Sequence, residues 1–328
     1  MKGVRKILFL NQSDMKKIIT MKDAIDSIDE AYKLYEKKEF LMPQRMQVSN
    51  NLNTLLLMPC FINQAIGTKI VTVFPQNTPL PTLHSLVILN DPRTGEIQAI
   101  MDGSFLTGFR TGAIGGSAIR HLAANTATKL AIIGTGVQGL YQAIAACTER
   151  QMTDIYLFNR TRDKIPQFKK ELQKWIGTDI RIHTVLHAED AVKEADIIIT
   201  ATNSYEPVLP DKQELYKNKI VIGIGSFQKE MQEFPDALYK TAEHLFVDSE
   251  DAIKETGDII IPLQKKLIHR DSIIHMSNYI VNKEKIILNR EKSIVFKSTG
   301  MALFDIVVAN FIYKKAVKKN IGIRLSFS

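Results

Sequence analysis

The segment Lys129–Gly139, KLAIIGTGVQG, decides the fold of this chain. A short apolar run leads directly into Gly134, Gly136 and Gly139, which have the spacing G-x-G-x-x-G, and a helical pattern follows. In this strand–turn–helix setting the glycines allow a tight turn and a close approach to a pyrophosphate, whose charge the helix N-terminus favours. We therefore predict a dinucleotide-binding turn, with a purely structural glycine-rich turn as the alternative.

Strand patterns alternate with helix patterns on both sides of this turn, from residue 110 onwards. Strands are expected at KLAIIG, DIYLFN, RIHTV, ADIIITAT and KIVIGIG, and helices at 137–150, 163–175 and 188–195. Alternation at this rhythm is typical of a parallel, doubly wound sheet. The predicted fold class is therefore α/β, with a Rossmann-type domain.

The segment before residue 110 has a different pattern. Residues 14–40 place apolar side chains at helical spacing, and short alternating runs follow, among them a hairpin with its turn at Asp91–Gly95. This pattern predicts an α+β domain, and the apolar last helix is expected to pack on it or on a partner subunit. The predicted domains are residues 1–113 completed by 304–328, and residues 114–303.

The composition narrows the functional classes. The chain has 328 residues, 45% of them hydrophobic, and a net charge of +8, without a basic-aromatic module, so we expect no nucleic-acid partner. Cys60 and Cys147 are too few for a disulfide framework or a zinc site, and no metal is expected. The sequence has no pattern of a signal peptide or a membrane span, which predicts a cytoplasmic protein without a membrane partner.

The second strand of the α/β region predicts which dinucleotide binds. It ends at Asn159, Arg160, Thr161 and Arg162, where NAD-preferring proteins carry a carboxylate for the ribose hydroxyls. Two guanidinium groups can pair with a 2′-phosphate, so NADPH is the expected cofactor and NADH the alternative. An exposed loop without a ligand is the other interpretation of these arginines. Further predicted cofactor contacts are Gly134, Thr135, Gly136, Val137, Gln138 and Gly139 in the turn, and Thr202 and Asn203 after the fourth strand.

Three cations in the first domain are candidates for binding an anionic substrate: Arg45, Lys69 and Arg110. Lys69 lies in an apolar strand pattern, where an unpaired ammonium is costly, so it needs an anionic partner. Together the three side chains are suited to a carboxylate, for which arginine supplies a bidentate fork. Structural salt bridges are the alternative for each of them.

Stretches spread over the whole chain match the pattern of one known family: LLLMP, GTKIVTVFPQN, LPTLHSLVILNDPRTGEIQAIMDG, RTGAIGGSAIRHLA, IIGTGVQG, TATNS, DSEDAIKETGDI and FKSTGMALFDI. In these stretches the chain resembles the ornithine cyclodeaminase/μ-crystallin family over essentially its whole length. The resemblance implies a homodimer in which the first domain, with the C-terminal helix, binds substrate and forms the subunit interface. It also implies a cleft where Arg45, Lys69 and Arg110 hold the substrate carboxylate near the nicotinamide. Lys297, Ser298 and Gly300 match a family segment that approaches the nicotinamide.

The segment GSFQKEMQEFP, residues 225–235, separates the chemistries of this family. In the cyclodeaminases the corresponding pattern is Gly-x-Asp-x-Pro-Gly-Lys-x-Glu-Leu, and its Asp aligns with Phe227, which cannot accept a proton. The segment instead resembles reductases of cyclic ketimines, whose form is Gly-Ser-Phe-x-Pro-x-Met-x-Glu-Leu-Pro. Lys229 and Phe234 depart from that form, and residues 271–293 depart from the family pattern altogether.

The resemblance therefore predicts NADPH-dependent reduction of Δ1-pyrroline-2-carboxylate to L-proline, with Δ1-piperideine-2-carboxylate, which would give L-pipecolate, as a second substrate. Lys69 is the candidate proton donor unless the imine arrives protonated. Ser226 would position a water or the imine nitrogen, or contact the cofactor. The alternative for Ser226 is a plain turn residue. Phe227 would pack against the apolar edge of the substrate ring. The alternatives are an ornithine cyclodeaminase, an alanine- or opine-type dehydrogenase, and a non-catalytic binder of NADPH and a small ligand.

Overall fold

The computed structural model describes residues 5–327, and the chain divides into two compact units. Unit 1 comprises Met1–Arg110 and Met301–Ser328, and unit 2 comprises Thr111–Gly300. The predicted domain boundaries, 113/114 and 303/304, lie within a few residues of these divisions. The predicted roles of the first domain in substrate binding and dimerisation stay predictions.

Unit 1 is built on a mixed sheet of eight strands in the order β16-β1-β7-β6-β5-β4-β2, with β3 paired to β4. Strands β1 and β7 are parallel, and the other neighbours are antiparallel. The strands are β1 (Arg5–Leu10), β2 (Phe40–Leu41), β3 (Met46–Asn50), β4 (Asn53–Ile62), β5 (Ala65–Val73), β6 (Leu83–Asn90), β7 (Ile97–Asp102) and β16 (Ile323–Phe327). The helices are α1 (Gln12–Lys16), α2 (Met21–Glu36), α3 (Gly103–Leu122), in which the first division between the units falls, and α11 (Ala302–Lys319).

The helical pattern of residues 14–40 is broken once, between α1 and α2. Thr20 ends the first pattern because its side chain accepts the N–H of Asp23, whose carboxylate accepts the N–H of Thr20 in return. This reciprocal capping starts α2 at Met21. One face of α2 is buried, and α11 packs against both this helix and strands β4, β5 and β6.

The hairpin predicted in this unit is present. Strands β6 and β7 pair antiparallel, with Val87 opposite Met101. The turn between them is fixed by Asp91, whose Oδ1 accepts hydrogen bonds from the backbone N–H groups of Arg93 and Thr94 at 2.8 and 3.1 Å. Asp91 thus satisfies two turn donors, as Asp commonly does in turns.

Unit 2 is built on a parallel sheet of eight strands in the order β10-β9-β8-β11-β12-β15-β13-β14. The strands are β8 (Lys129–Ile133), β9 (Asp154–Phe158), β10 (Arg181–Thr184), β11 (Ile197–Thr200), β12 (Ile220–Gly223), β13 (Ala242–Val247), β14 (Ile273–His275) and β15 (Ser293–Lys297). The helices are α4 (Val137–Glu149), α5 (Ile165–Ile176), α6 (Ala188–Glu194), α7 (Asp236–Thr241), α8 (Glu250–Glu255), α9 (Gly257–Gln264) and α10 (Met276–Val281). The predicted α/β class with a doubly wound parallel sheet is confirmed.

The order of the strands in unit 2 reverses between β8 and β11. In open α/β sheets, ligands bind outside the carboxyl ends of the strands at such a reversal. The divergent stretch 271–293 contributes β14 at the edge of this sheet and the short helix α10. No helix within residues 5–327 is long and apolar enough to cross a membrane.

Candidate functional site

A buried cluster of charges lies in unit 1, around one carboxylate. Lys69 Nζ lies 2.7 Å from Asp305 Oδ2, and Arg110 donates a hydrogen bond from Nε to Asp305 Oδ1 at 2.8 Å. Lys69 is 2% exposed, Arg110 5% and Asp305 0%. The predicted anionic partner of Lys69 is therefore Asp305.

Strand β5 and helix α11 bring these groups together. Alternate residues of a strand share a face, so Gly67 and Lys69 both point towards α11. A Cβ atom at Gly67 would lie 2.6 Å from Ile306 Cδ1, so the missing side chain lets the helix approach the strand closely. Asp305 lies in the first turn of α11, where the helix dipole favours a negative charge.

The pKa of Lys69 is shifted by its surroundings towards neutral pH. Burial, Arg110 and Arg45 disfavour its ammonium form more than Asp305 favours it, and its pKa is lowered from 10.5 to about 7. The third predicted cation, Arg45, is half-buried just before β3 and contributes to this lowering. The structure thus brings Arg45 and Arg110 close enough to act on Lys69, although the three residues are distant in the sequence.

The glycine-rich turn of unit 2 has the geometry of a dinucleotide site. Gly134 has a φ of +106°, and a Cβ atom there would lie 2.6 Å from the carbonyl oxygen of Ala201. A Cβ at Gly139 would lie 2.1 Å from the carbonyl oxygen of Gly134, whereas one at Gly136 would meet no described atom within 4 Å. Two of the glycines therefore allow close packing, and Gly136 leaves open space at the start of α4.

Two buried polar atoms within this turn and the start of α4 have no hydrogen-bond partner in the described part of the chain. Thr135 Oγ1 and Gln138 Oε1 are buried without a hydrogen-bond partner among residues 5–327. Val137, at the N-terminus of α4, is 65% exposed. Buried polar atoms are normally paired, so these atoms fit a ligand with its own donors and acceptors. Together with the open space at Gly136 and the positive end of α4, they fit a dinucleotide pyrophosphate.

Strand β9 ends where the adenosine ribose is expected. Asn159 Oδ1 accepts a hydrogen bond from the backbone N–H of Thr135 at 3.3 Å, and its Nδ2 donates to the carbonyl oxygen of Thr161 at 2.6 Å. Asn159 thus ties this loop to the glycine-rich turn. Arg160 and Arg162 are exposed and form no ion pair with another described residue.

The loops after β11 and β12 carry Thr202, Asn203, Ser226 and Phe227. Asn203 is exposed and Phe227 is 42% exposed, so both can meet a ligand. Ser226 is fully buried, and its hydroxyl bonds the carbonyl oxygen of Met231 and the hydroxyl of Thr256, each at 2.7 Å. Both hydrogen-bonding directions of this hydroxyl are used within the protein. These hydrogen bonds favour the alternative of a plain turn residue, and the catalytic role of Ser226 stays a prediction.

The segment Lys297–Gly300 follows β15. Lys297 is fully buried, and its Nζ lies 2.8 Å from Asp258 Oδ2 in an internal ion pair. Asp248 Oδ2 accepts hydrogen bonds from Ser298 Oγ and from the N–H of Gly300, at 2.6 and 2.7 Å. The cofactor contacts expected of Lys297, Ser298 and Gly300 stay predictions.

Three buried carboxylates of the structure are not among the predicted site residues: Glu233, Asp258 and Asp305. Glu233 accepts hydrogen bonds from the loops after β11 and β12, and Asp258 accepts from the backbone of Glu233. All three lie inside stretches that match the family, but only Asp305, in an apolar helix, carries a sign of burial in the sequence. Among residues 5–327, no group of three His, Cys, Asp or Glu side chains is placed to hold a metal ion.

Comparison with known proteins identifies the family of this chain. Residues 5–320 match the sequence profile of the ornithine cyclodeaminase/mu-crystallin family. The chain belongs to that family. The resemblance in the sequence is thereby confirmed.

Two relatives in this family bear the same enzyme name. A Δ1-pyrroline-2-carboxylate reductase of Bacillus thuringiensis subsp. konkukian is 36% identical over 98% of this chain and 100% of its own length. The structure of the Thermococcus litoralis enzyme of that name, in complex with NADH and L-proline, has a TM-score of 0.91 at 30% identity. It covers 97% of this chain and 100% of its own.

A further similar structure carries the name of a different activity. An archaeal alanine dehydrogenase, a dimer with bound NAD, has a TM-score of 0.90 at 28% identity, over 99% of this chain and 100% of its own. Proteins with different activities thus share this fold. The fold alone does not distinguish these activities, so the residues of the site have to distinguish them.

Proposed function

We propose that this protein is an NAD(P)H-dependent reductase of a cyclic ketimine carboxylate, which converts Δ1-pyrroline-2-carboxylate to L-proline. The six-membered analogue, Δ1-piperideine-2-carboxylate, is a second substrate in this proposal. The observation that carries the proposal is the cluster of Lys69 and Arg110 around Asp305 in unit 1. The names of the two reductase relatives support it.

The charge of this cluster suits a small carboxylate. Arg110 and Lys69 share Asp305, and Arg45 acts on Lys69 electrostatically. Because Lys69 and Arg110 share a single carboxylate, an excess of positive charge remains in a poorly solvated place, where an anion is held strongly. A substrate carboxylate would supply the missing charge, and an arginine can bind it in a bidentate manner.

The same cluster offers a proton. Reduction of a C=N bond requires a hydride at carbon and a proton at nitrogen. A bound dihydronicotinamide would supply the hydride at C2. Lys69, with a pKa of about 7, can give its proton to the imine nitrogen and regain one from solvent at neutral pH. If the imine nitrogen is already protonated when the substrate binds, Lys69 would serve only to bind the substrate carboxylate.

The position of Phe227 favours this reaction over cyclodeamination. Phe227 stands where the cyclodeaminase pattern has an aspartate, and it is 42% exposed near the start of the loop after β12. A phenyl ring cannot accept a proton from an amine or orient a water. It can cover the apolar edge of a five- or six-membered ring, which suits hydride delivery to a preformed imine.

For the cofactor, we propose NADPH over NADH. Arg160 and Arg162 are exposed at the end of β9 with no ion pair to another described residue, and no carboxylate follows that strand directly. Guanidinium groups in this place would pair with a 2′-phosphate. NADH is the competing cofactor, supported by the complex of the Thermococcus litoralis relative.

We also propose that the protein is a homodimer. Strand β3 presents Met46 and Val48 outward, 60% and 56% exposed, and an apolar strand surface of this kind favours burial in an interface. The archaeal relative described as a dimer supports the same state. Light scattering is expected to give twice the chain mass of 37.1 kDa, and the chain mass itself would contradict the dimer.

One assay tests the proposed activity. The purified protein is mixed with Δ1-pyrroline-2-carboxylate and NADPH or NADH, and both cofactor oxidation and proline formation are measured. Parallel reactions contain NAD⁺ with L-ornithine, NAD⁺ with L-alanine, or no second substrate. Proline formation with stoichiometric cofactor oxidation is expected. Ammonia release from ornithine, oxidation of alanine, or cofactor binding without turnover would each replace the proposal by the corresponding alternative.

A further inference from the structure

The carboxylate of Glu233 connects two loops at the carboxyl edge of the sheet in unit 2. Its Oε1 accepts hydrogen bonds from the backbone N–H and the hydroxyl of Thr202, at 2.7 and 2.8 Å. Its Oε2 accepts from the backbone N–H groups of Gly225 and Ser226, at 2.8 and 3.1 Å. Each oxygen thus serves a different loop, one following β11 and the other following β12.

These two loops are packed against each other and against the glycine-rich turn. A Cβ atom at Gly225 would lie 1.8 Å from the carbonyl oxygen of Thr202, and one at Gly134 would lie 2.9 Å from Thr202 Cγ2. Thr202 therefore lies between the glycine-rich turn and the loop after β12, with its tightest contact at Gly225. Glu233 fixes the part of this edge on the β11–β12 side of the strand reversal.

The backbone of Glu233 is in turn held in place by the buried ion pair of Asp258 and Lys297. Its backbone N–H and that of Phe234 donate to Asp258 Oδ1, at 2.7 and 3.0 Å. Lys297 Nζ lies 2.8 Å from Asp258 Oδ2 and 3.6 Å from Glu233 Oε2, and all three charged side chains are fully buried. The Asp258–Lys297 pair fixes the chain that carries Glu233, while the side chain of Glu233 points at the two loops.

We propose that Glu233 is a positioning residue for the nicotinamide half of the bound dinucleotide, because it sets the separation of Thr202 from the turn Gly225–Ser226. A dinucleotide spans two half-sites across the strand reversal, and the adenosine half lies on the side of β8 and β9. The β11–β12 side then receives the nicotinamide half. The inference rests on the dinucleotide site of the proposed function and adds Glu233 to it.

Substitution by glutamine separates this role from a general structural one. Whichever way its amide is turned, the NH₂ group of Glu233→Gln faces N–H donors, either at Thr202 or at Gly225 and Ser226. One loop is thereby released while the size of the side chain is kept. Glu230→Gln is the matched control, since Glu230 is exposed in the same loop and its change removes the same charge.

The binding of two probes is compared by calorimetry in the full-length protein. ADP and 2′,5′-ADP report on the adenosine half, and NADPH and NADH report on the whole dinucleotide. In Glu233→Gln the Kd of the reduced dinucleotides is expected to rise about tenfold or more, because buried donors lose their acceptor. The Kd of the adenosine probes is expected to stay within about twofold of the wild-type value.

Other outcomes decide against the proposal. Equal weakening of both probes, or unchanged binding of the reduced dinucleotides, would overturn the positioning role, as would a similar loss in Glu230→Gln. If Glu233→Gln does not fold, Glu233→Asp gives the same comparison, because the shorter carboxylate cannot reach both loops. Failure of both variants to fold would make Glu233 a folding determinant and refute the inference. A wild-type protein that binds no reduced dinucleotide would instead refute the proposed function.

Discussion

Lys69 and Arg110 share one buried carboxylate, with Lys69 Nζ 2.7 Å from Asp305 Oδ2 and Arg110 Nε 2.8 Å from Asp305 Oδ1. One negative charge is divided between two cations, and Arg45 adds a third positive charge that acts on Lys69. Because Asp305 does not fully compensate for burial and for these cations, the pKa of Lys69 is lowered to about 7. Its charge therefore changes near neutral pH, where an enzyme can use it.

The first prediction concerns the pH dependence of the reduction. If the protonated form of Lys69 is required, kcat/KM should fall as the pH rises through about 7, because the folded protein then loses this proton. In Lys69→Arg the guanidinium keeps its charge, so the residual activity should not show this decline. Initial rates at saturating reduced cofactor over about pH 6 to 9 test this. A flat wild-type profile, or the same decline in the arginine variant, would contradict the role of Lys69.

The second prediction concerns Asp305. Asp305→Asn removes the negative charge and leaves Lys69 and Arg110 buried beside each other, which should lower the free energy of unfolding by about 3–5 kcal/mol. Since Asp305 raises the pKa of Lys69, its loss should also move the decline in activity to lower pH. Chemical denaturation and the pH profile measure the two effects.

The matched control is Asp179→Asn, which makes the same charge change in an exposed loop of unit 2. It should change the stability by no more than about 0.5 kcal/mol. An Asp305→Asn protein as stable as this control would show that the shared carboxylate is not needed to hold the two cations.

The cation cluster also shows which features of the site can be predicted from the sequence and which cannot. Lys69 in an apolar strand pattern was enough to predict an anionic partner, since a buried ammonium without one is costly. The identity of that partner could not be predicted, because Asp305 lies far along the chain and reaches Lys69 through the packing of α11 on β5. Its position in an apolar helix was the sole signal of burial.

In unit 2, local pattern was sufficient for the fold but not for the site. The glycine spacing and the strand–helix alternation are set by neighbouring residues, so they predicted β8, α4 and the parallel sheet. Ser226 is a candidate because it follows a strand, and Lys297 because its segment resembles the family. Their burial and their partners Thr256 and Asp258 could not be predicted, because both are properties of the tertiary structure.

The third prediction tests the choice of cofactor. Arg160→Glu, alone or with Arg162→Glu, should lower the kcat/KM ratio of NADPH to NADH by about tenfold or more, because a charge-assisted hydrogen bond contributes about 1.5–3 kcal/mol. Lys170→Glu is the control, since it makes the same charge change on the exposed side of α5. Steady-state kinetics with both cofactors gives the ratio. An unchanged ratio in both arginine variants would mean that these side chains do not read the 2′-phosphate.

The fourth prediction uses two glycines of one motif that differ in what surrounds them. A Cβ at Gly136 would meet no described atom within 4 Å, and its φ of −91° suits any residue. Gly136→Ala should therefore change the free energy of unfolding by less than about 1 kcal/mol. The open space is the place proposed for the pyrophosphate, so the added methyl group should weaken dinucleotide binding by about tenfold or more.

Gly139→Ala provides the contrast, because its Cβ would lie 2.1 Å from the carbonyl oxygen of Gly134. The backbone carbonyl of Gly134 cannot move aside as a flexible side chain can. Gly139→Ala should therefore lower the free energy of unfolding and also weaken dinucleotide binding. Thermal unfolding without ligand, followed by titration with NADPH, separates the two effects. If Gly136→Ala binds the dinucleotide as the wild type does, the space at the start of α4 is not the pyrophosphate site, and the turn would then be purely structural.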